Sequence, residues 1–221
     1  MKQLYIFTIR LTGIISLLFL LSFNIGFGQT ILNGDFENNT AGTDQINNTN
    51  VAFNAFMPNA FAFGSQGNMD IIKSATYCGL AEHGSWYVAF TRGGTDAIAL
   101  TTSVPLVQGN SYTISFWDRG CTGWTAFPFQ FGLSTVNNAQ GTVIYTAPVA
   151  PTDGVWTQRT FTFNAPNNGQ YITIQMGGVL ANWGQVDNVQ LRLLYCRRFL
   201  TFLLPTPRCA RMIASALLTR A

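Results

Sequence analysis

Short segments in which polar and apolar residues alternate make up much of the chain between residues 30 and 191. In the clearest of them, Ser111 to Trp117, the side chains of Tyr112, Ile114 and Phe116 share one face, and Trp117 lies on the other. A period of two places successive side chains on opposite sides of a β-strand, so this segment is predicted to be a half-buried strand. Strands are also predicted at residues 70–72, 85–90, 96–102, 127–133, 142–145, 156–163 and 171–176.

Turn residues separate these segments at the spacing that is typical of antiparallel sandwiches, for example at Gln108-Gly109-Asn110. Residues 38–50 are predicted to form an Asn- and Thr-rich loop, and residues 51–68 an irregular strand that walls the sandwich. No helix of useful length is expected in this region. The predicted fold class is all-β, with two antiparallel sheets in one β-sandwich.

Composition agrees with strands and turns, because Gly, Asn, Thr, Phe and Val dominate residues 29–191 while Lys, Leu and Glu are scarce. This region has four strong bases and nine acids, a net charge of minus five, so the charge of +3 of the whole chain comes from its ends. The positive charge therefore gives no reason to expect nucleic-acid binding. The four bases are Lys73, Arg92, Arg119 and Arg159.

The two ends differ from the domain between them. Residues 1–28 have the basic start, apolar run and small final residues of a signal peptide, so we expect a secreted or cell-surface protein of bacterial type. An uncleaved membrane anchor is the alternative. Residues 192–221 form a basic, Leu-rich tail with six Arg and no acid. We interpret this tail as lying outside the fold. It could be an out-of-frame or truncated end, a surface-anchoring or secretion tail, or a basic amphipathic helix. A lost C-terminal domain is a further open alternative.

Signatures of catalysis are sparse. The single histidine, His83, lies two residues before Ser85, and no nucleophile-elbow pattern surrounds that serine. Ligand spacings for zinc, phosphate loops and dinucleotide fingerprints are absent from the sequence. The chain is therefore predicted not to be an enzyme.

Two cysteines, Cys78 and Cys121, lie inside the domain in Gly-flanked loops. In an exported protein they could form a disulfide that contributes about 2–4 kcal/mol, and two separate thiols are the alternative.

Carboxylates beside apolar strand residues occur at both ends of the domain, in Asn33-Gly34-Asp35-Phe36-Glu37 and in the segment from Gln185 to Leu191, which contains Asp187. Neither segment has a Lys or Arg close by. A buried carboxylate without a partner costs several kcal/mol, roughly, so a bound cation such as Ca²⁺ is one explanation. Solvated strand ends are the other.

These two segments also resemble the galactose-binding-like jelly rolls, a group that includes carbohydrate-binding modules for cellulose, xylan and related β-glucans. The resemblance implies a two-sheet jelly-roll β-sandwich whose opening strand, residues 32–36, lies beside the closing strand, residues 186–191. It also implies that Glu37 and Asp187 hold a structural Ca²⁺. Asp35 is a further candidate ligand, because alternation sets it on the same side as Glu37.

Aromatic residues favour a role in binding, since sugars stack on flat rings while a few polar groups fix their hydroxyls. The predicted contacts to a polysaccharide or other glycan are Trp117, Asp118, Arg119, Trp124 and Trp183. The alternative is a structural or adhesive sandwich that acts as a spacer and has no glycan ligand. Exposed, coplanar tryptophans on a sheet favour glycan binding, whereas a face of Ser, Thr and Asn without exposed rings favours the spacer.

Overall fold

The structure is a computed structural model, and it describes residues 29–64, 67–92, 96–178 and 180–194. The predicted signal peptide and the part of the predicted tail beyond Leu194 lie outside these residues. The described residues form eleven strands and one short helix. Their bounds are β1 Gln45–Asn48, α1 Asn50–Phe56, β2 Ala60–Phe63, β3 Met69–Ile72, β4 Tyr87–Arg92, β5 Ala97–Thr101, β6 Ser111–Gly120, β7 Phe129–Ser134, β8 Thr142–Thr146, β9 Thr157–Asn164, β10 Tyr171–Met176 and β11 Leu180–Leu193.

Two antiparallel sheets pack face to face, which confirms the predicted all-β jelly-roll sandwich. The six-stranded sheet has the order β1-β3-β4-β11-β6-β9, and the five-stranded sheet has the order β2-β5-β10-β7-β8. Side chains from the two inner faces meet in one apolar core, where the ring centroids of Phe116 and Phe131 lie 4.5 Å apart. The alternation of Tyr112, Ile114 and Phe116 inward is as predicted, and all three are fully buried.

The segment from Leu32 to Phe36 is a turn, so the prediction of a strand there is wrong. The alternating residues form a turn there because the buried side chain of Asn33 closes a loop. It donates to the carbonyls of Asn38 and Pro58 and accepts from Asn38 N–H. The first segment nevertheless lies beside the last strand, as predicted, since Val189 N–H donates to the Gly34 carbonyl at 2.8 Å.

Residues 38–68 also differ from the prediction. The expected loop contains the polar edge strand β1, and the expected irregular strand contains α1 before β2. Thr49 caps α1 by accepting a hydrogen bond from Ala52 N–H, and Phe53 anchors the helix in the core. The helix ends at Phe56, just before Met57 and Pro58, because the residue before a proline disfavours helical conformation.

The last strand, β11, is longer than predicted. It includes Trp183, which was expected in a loop, and it continues past the predicted domain end at residue 191 to Leu193. Pairing with both β4 and β6 places this strand at the centre of its sheet, which explains why it is long.

Candidate functional site

Trp124 and Trp183, two of the predicted ligand contacts, lie together at one end of the six-stranded sheet. Their ring centroids are 5.4 Å apart with an interplanar angle of 74°. Trp183 also packs edge-to-face on Tyr77, with centroids 5.6 Å apart and an angle of 75°. Trp124 is 48% exposed, and the other two side chains are half-buried. We call Tyr77, Trp124 and Trp183 the aromatic cluster.

The loops that carry the aromatic cluster are joined covalently. Cys78 and Cys121 form a disulfide, with 5.7 Å between their Cα atoms, so the loop after β3 is tied to the end of β6. Trp183 N–H donates to the Thr125 carbonyl at 3.3 Å, and Trp124 N–H donates to the Cys121 carbonyl at 3.1 Å. The disulfide thus places Tyr77, which precedes Cys78, near Trp124, which follows Cys121 at a distance of three residues.

Arg119, another predicted ligand contact, is only 2% exposed and lies inside the protein, where it contacts the loop of the site. Its guanidinium donates to the Gly79 carbonyl at 2.9 Å and to the side-chain oxygen of Gln185. The same group lies 4.1 Å from the ring centroid of Trp156 and 5.0 Å from that of Tyr87. Cation–π contacts of this kind are stronger when water is excluded, so they hold Arg119 in place. Its hydrogen bond to the Gly79 carbonyl then attaches that loop to the sheet.

Asp118 is fully buried and is paired with Arg159, whose Nε lies 3.0 Å from both carboxylate oxygens. Burial raises the pKa of Asp118 to about 6, although the hydrogen bond and charge of Arg159 lower it. Asp118 and Arg119 have almost no exposed surface, so they support the sheet from inside and do not belong to the exposed part of this site.

Trp117 is half-buried on the outer face of the six-stranded sheet, where it lies opposite Asp187 on β11. Among the aromatic contacts found in the described residues, none joins Trp117 to the aromatic cluster. Farther along β6 and β9 the outer face is polar, and the hydroxyls of Thr113 and Thr162 lie 3.1 Å apart. The sheet therefore combines a cluster of rings that are not coplanar, of which only Trp124 is exposed, with a Ser- and Thr-rich strip.

Sequence analysis missed two contributors to this surface. Neither Tyr77 nor Trp156 is among the predicted ligand contacts; the half-buried indole of Trp156 donates from Nε1 to the Leu80 carbonyl at 3.0 Å. Leu80 itself is 63% exposed. The available signal was the cysteine pair, because a disulfide between Cys78 and Cys121 brings their aromatic neighbours together.

The predicted metal ligands Glu37 and Asp187 both bind the loop of residues 82–86. Glu37 Oε1 accepts from Ser85 N–H and Trp86 N–H, each at 2.7 Å. Asp187 Oδ2 accepts from Glu82 N–H at 2.8 Å and from His83 N–H at 3.0 Å. Gly84 sits against Glu37 with a φ of +66°, and a Cβ there would lie 2.4 Å from the Glu37 carboxyl carbon.

These backbone donors are an alternative to a cation as the partner of the buried carboxylates. The remaining Asp187 oxygen accepts from Asn188 N–H, and Asp35 Oδ1 accepts from Glu37 N–H at 3.4 Å. Burial raises the pKa of Asp187 to about 7, while its N–H donors lower it. In the part of the chain that the structure describes, no three His, Cys, Asp or Glu side chains form a metal-binding group. The Ca²⁺ site at Glu37, Asp187 and Asp35 therefore stays a prediction.

A pocket of about 460 Å³ lies between the first described segment and β11. It is lined by residues that include Asp35, His83, Asn188, Gln190 and Arg192. No residue of the aromatic cluster lines it, so the two features are separate candidates for a ligand.

The sequence matches no protein-family model and no curated protein. Solved structures of similar fold include an arabinose-bound GH51 α-L-arabinofuranosidase, with a TM-score of 0.52, 14% identity and coverage of 76% of this chain and 26% of the enzyme. The CBM22-1 xylan-binding domain of Paenibacillus barcinonensis Xyn10C has a TM-score of 0.44, 12% identity and coverage of 75% of this chain and 92% of the domain. The module TmCBM61 in complex with β-1,4-galactotriose has a TM-score of 0.44, 17% identity and coverage of 62% of this chain and 89% of the module.

At these identities the likeness concerns the fold alone. In that sense the resemblance is confirmed by the two antiparallel sheets of the structure itself. The matched region spans about a quarter of the arabinofuranosidase chain, 26%. A search of the described residues for a helix long and apolar enough to cross a bilayer finds none.

Proposed function

We propose that this domain is a non-catalytic glycan-binding module, and that the aromatic cluster is its binding surface. The observation that carries the proposal is the exposed ring of Trp124, which is held against Trp183 by a disulfide-linked pair of loops. A rigid, exposed indole offers an apolar face to the C–H groups of a sugar without losing much conformational entropy on binding. Trp117, farther along the same face of the sheet, stays a predicted glycan contact that is separate from this surface.

The ion pair and hydrogen bonds that the acidic side chains already make support a role without catalysis. Asp118 is paired with Arg159, and Glu37 and Asp187 accept backbone hydrogen bonds, so these carboxylates already hold the fold together. The only histidine, His83, is exposed in the loop of residues 82–86. We further propose that the protein acts outside the cytoplasm, where a disulfide such as Cys78–Cys121 persists.

The experiment is a glycan array probed with the oxidised protein, followed by titration calorimetry on the strongest glycan. Trp124→Ala should lower the affinity for that glycan, whereas Tyr171→Ala should not. Tyr171 is a suitable control because it is a half-buried ring on β10, in the other sheet. An equal loss of affinity in both variants, or retention of affinity in Trp124→Ala, would contradict the assignment of the surface.

A structural or adhesive role is the second candidate, and one observation favours it. The outer face of β6 and β9 carries a strip of hydroxyl and amide side chains, namely Ser111, Thr113, Ser115, Thr160, Thr162 and Asn164. The absence of a signal from every glycan on the array would favour this role over the first.

A further inference from the structure

We propose that the aromatic cluster recognises one exposed sugar unit, such as a chain end or a branch, and not the flat face of a long or crystalline polysaccharide. This inference rests on the proposed glycan-binding function and specifies its ligand. It comes from the angles between the rings, their unequal exposure and the loop that interrupts the sheet surface next to them.

The ring angles are the first observation. Trp124 and Tyr77 each meet Trp183 nearly at a right angle, at 74° and 75°. A sugar stacks on the face of a ring, so a flat chain can stack on several rings only where their planes are parallel. Two rings at a right angle instead form a floor and a side wall, which fit around a single pyranose.

Exposure of the rings gives the same result. Trp124 is 48% exposed, whereas Trp183 is half-buried and its indole nitrogen is enclosed by the protein. Trp183 also contacts both Trp124 and Tyr77, so part of its surface is already covered. The cluster therefore presents one stacking face, that of Trp124.

The surroundings of Trp124 are open on the solvent side. At the neighbouring Gly123, no atom lies within 4 Å of the position that a Cβ would occupy. Thr122 and Thr125 flank the pair and are exposed. The Thr122 hydroxyl already donates to the Thr152 carbonyl at 3.2 Å, so few polar side chains next to Trp124 remain for a sugar, which suits a small ligand.

Trp117, a half-buried ring farther along the sheet, does not form a continuous surface with the aromatic cluster. Trp117 pairs with Asp187, four residues along β11 from Trp183, which corresponds to about 13 Å at the rise of a β-strand. The face between them is covered, because Gln185 donates to the Tyr77 carbonyl and Arg119 donates to the Gly79 carbonyl. The loop of residues 77–80 therefore blocks a continuous track from Trp124 to Trp117.

The test uses a glycan array that carries defined oligosaccharides of one to six units, together with adsorption to microcrystalline cellulose. The affinity should reach its final value by the disaccharide of the recognised series and change less than about twofold on further lengthening. Microcrystalline cellulose should not retain the protein. An affinity that grows with each unit up to the hexasaccharide, or adsorption to cellulose that Trp124→Ala abolishes, would overturn this inference while leaving glycan binding intact.

The variants separate this result from a failure to bind at all. Trp124→Ala should lower the affinity for the disaccharide about tenfold or more, as expected for an aromatic residue that dominates binding. Trp124→Tyr keeps a ring and should retain most of the affinity, and thermal melting of both variants reports whether the fold is intact. If no glycan of any length binds, the proposed function itself fails, and this inference fails with it.

Discussion

Removing the disulfide between Cys78 and Cys121 should destabilise the protein strongly. The bond joins residues separated by 43 positions in the sequence. In the chain-entropy relation, a closed loop of this length stabilises the folded state by about 4 kcal/mol, because the cross-link limits the conformations of the unfolded chain. For a domain of this size, 1 kcal/mol corresponds to roughly 2–4 °C, so the melting temperature should fall by about 8–16 °C.

The native contacts of the loop explain why the folded structure should survive this change. Without the disulfide, Tyr87 Oη still donates to the Tyr77 carbonyl at 2.7 Å, and the Arg119 guanidinium still donates to the Gly79 carbonyl at 2.9 Å. The loss is therefore expected in the free energy of unfolding and not in the secondary structure.

The assay is thermal melting of the wild type and of the double variant Cys78→Ala/Cys121→Ala, each with and without reductant. Reductant should lower the melting temperature of the wild type to that of the double variant and leave the double variant unchanged. A difference of less than about 2 °C between oxidised wild type and double variant would refute the reasoning.

Three further predictions concern the carboxylates and the first segment. Burial raises the pKa of Asp70 from 3.8 to about 7, so the folded state binds this proton at a pH where the unfolded state has lost it. The contribution of Asp70 to stability is therefore full below about pH 4 and is lost as the pH rises through about 7. The melting temperature should be higher at pH 5 than at pH 8, and Asp70→Asn should reduce that difference. If Ca²⁺ binds at Glu37 and Asp187, excess chelator should lower the melting temperature, and Asp187→Asn should abolish the effect; an unchanged melting curve would leave the backbone N–H groups as sufficient partners. Gly34→Ala should destabilise the protein by about 1–3 kcal/mol in denaturant titration, because its Cβ would lie 2.0 Å from the Val189 carbonyl oxygen. Gly42→Ala should have the smaller effect, because no atom lies within 4 Å of its Cβ and only the positive φ of +69° opposes a side chain there.

The strands could be predicted because alternation is a local signal. Residues 111–117 and 171–176 have one face in the core, and the strands found there include the predicted segments. The prediction of a strand in the first segment failed because a turn can show the same local alternation. There the side chain of Asn33 closes a turn. Helix α1 was missed because it has only seven residues and depends on the Thr49 cap and the burial of Phe53.

The candidate site could be predicted only in part. Trp124 and Trp183 were identified from residue type, but alternation could not show that Arg119 on the outer face is buried, because the cover comes from a distant loop. The sequence alone determined which residues can form strands, which segments are turns and which cysteines are available to pair. The tertiary structure decided the partners of the buried carboxylates and the angles between the rings. Those features depend on contacts between residues far apart in the chain, and no local pattern specifies such contacts.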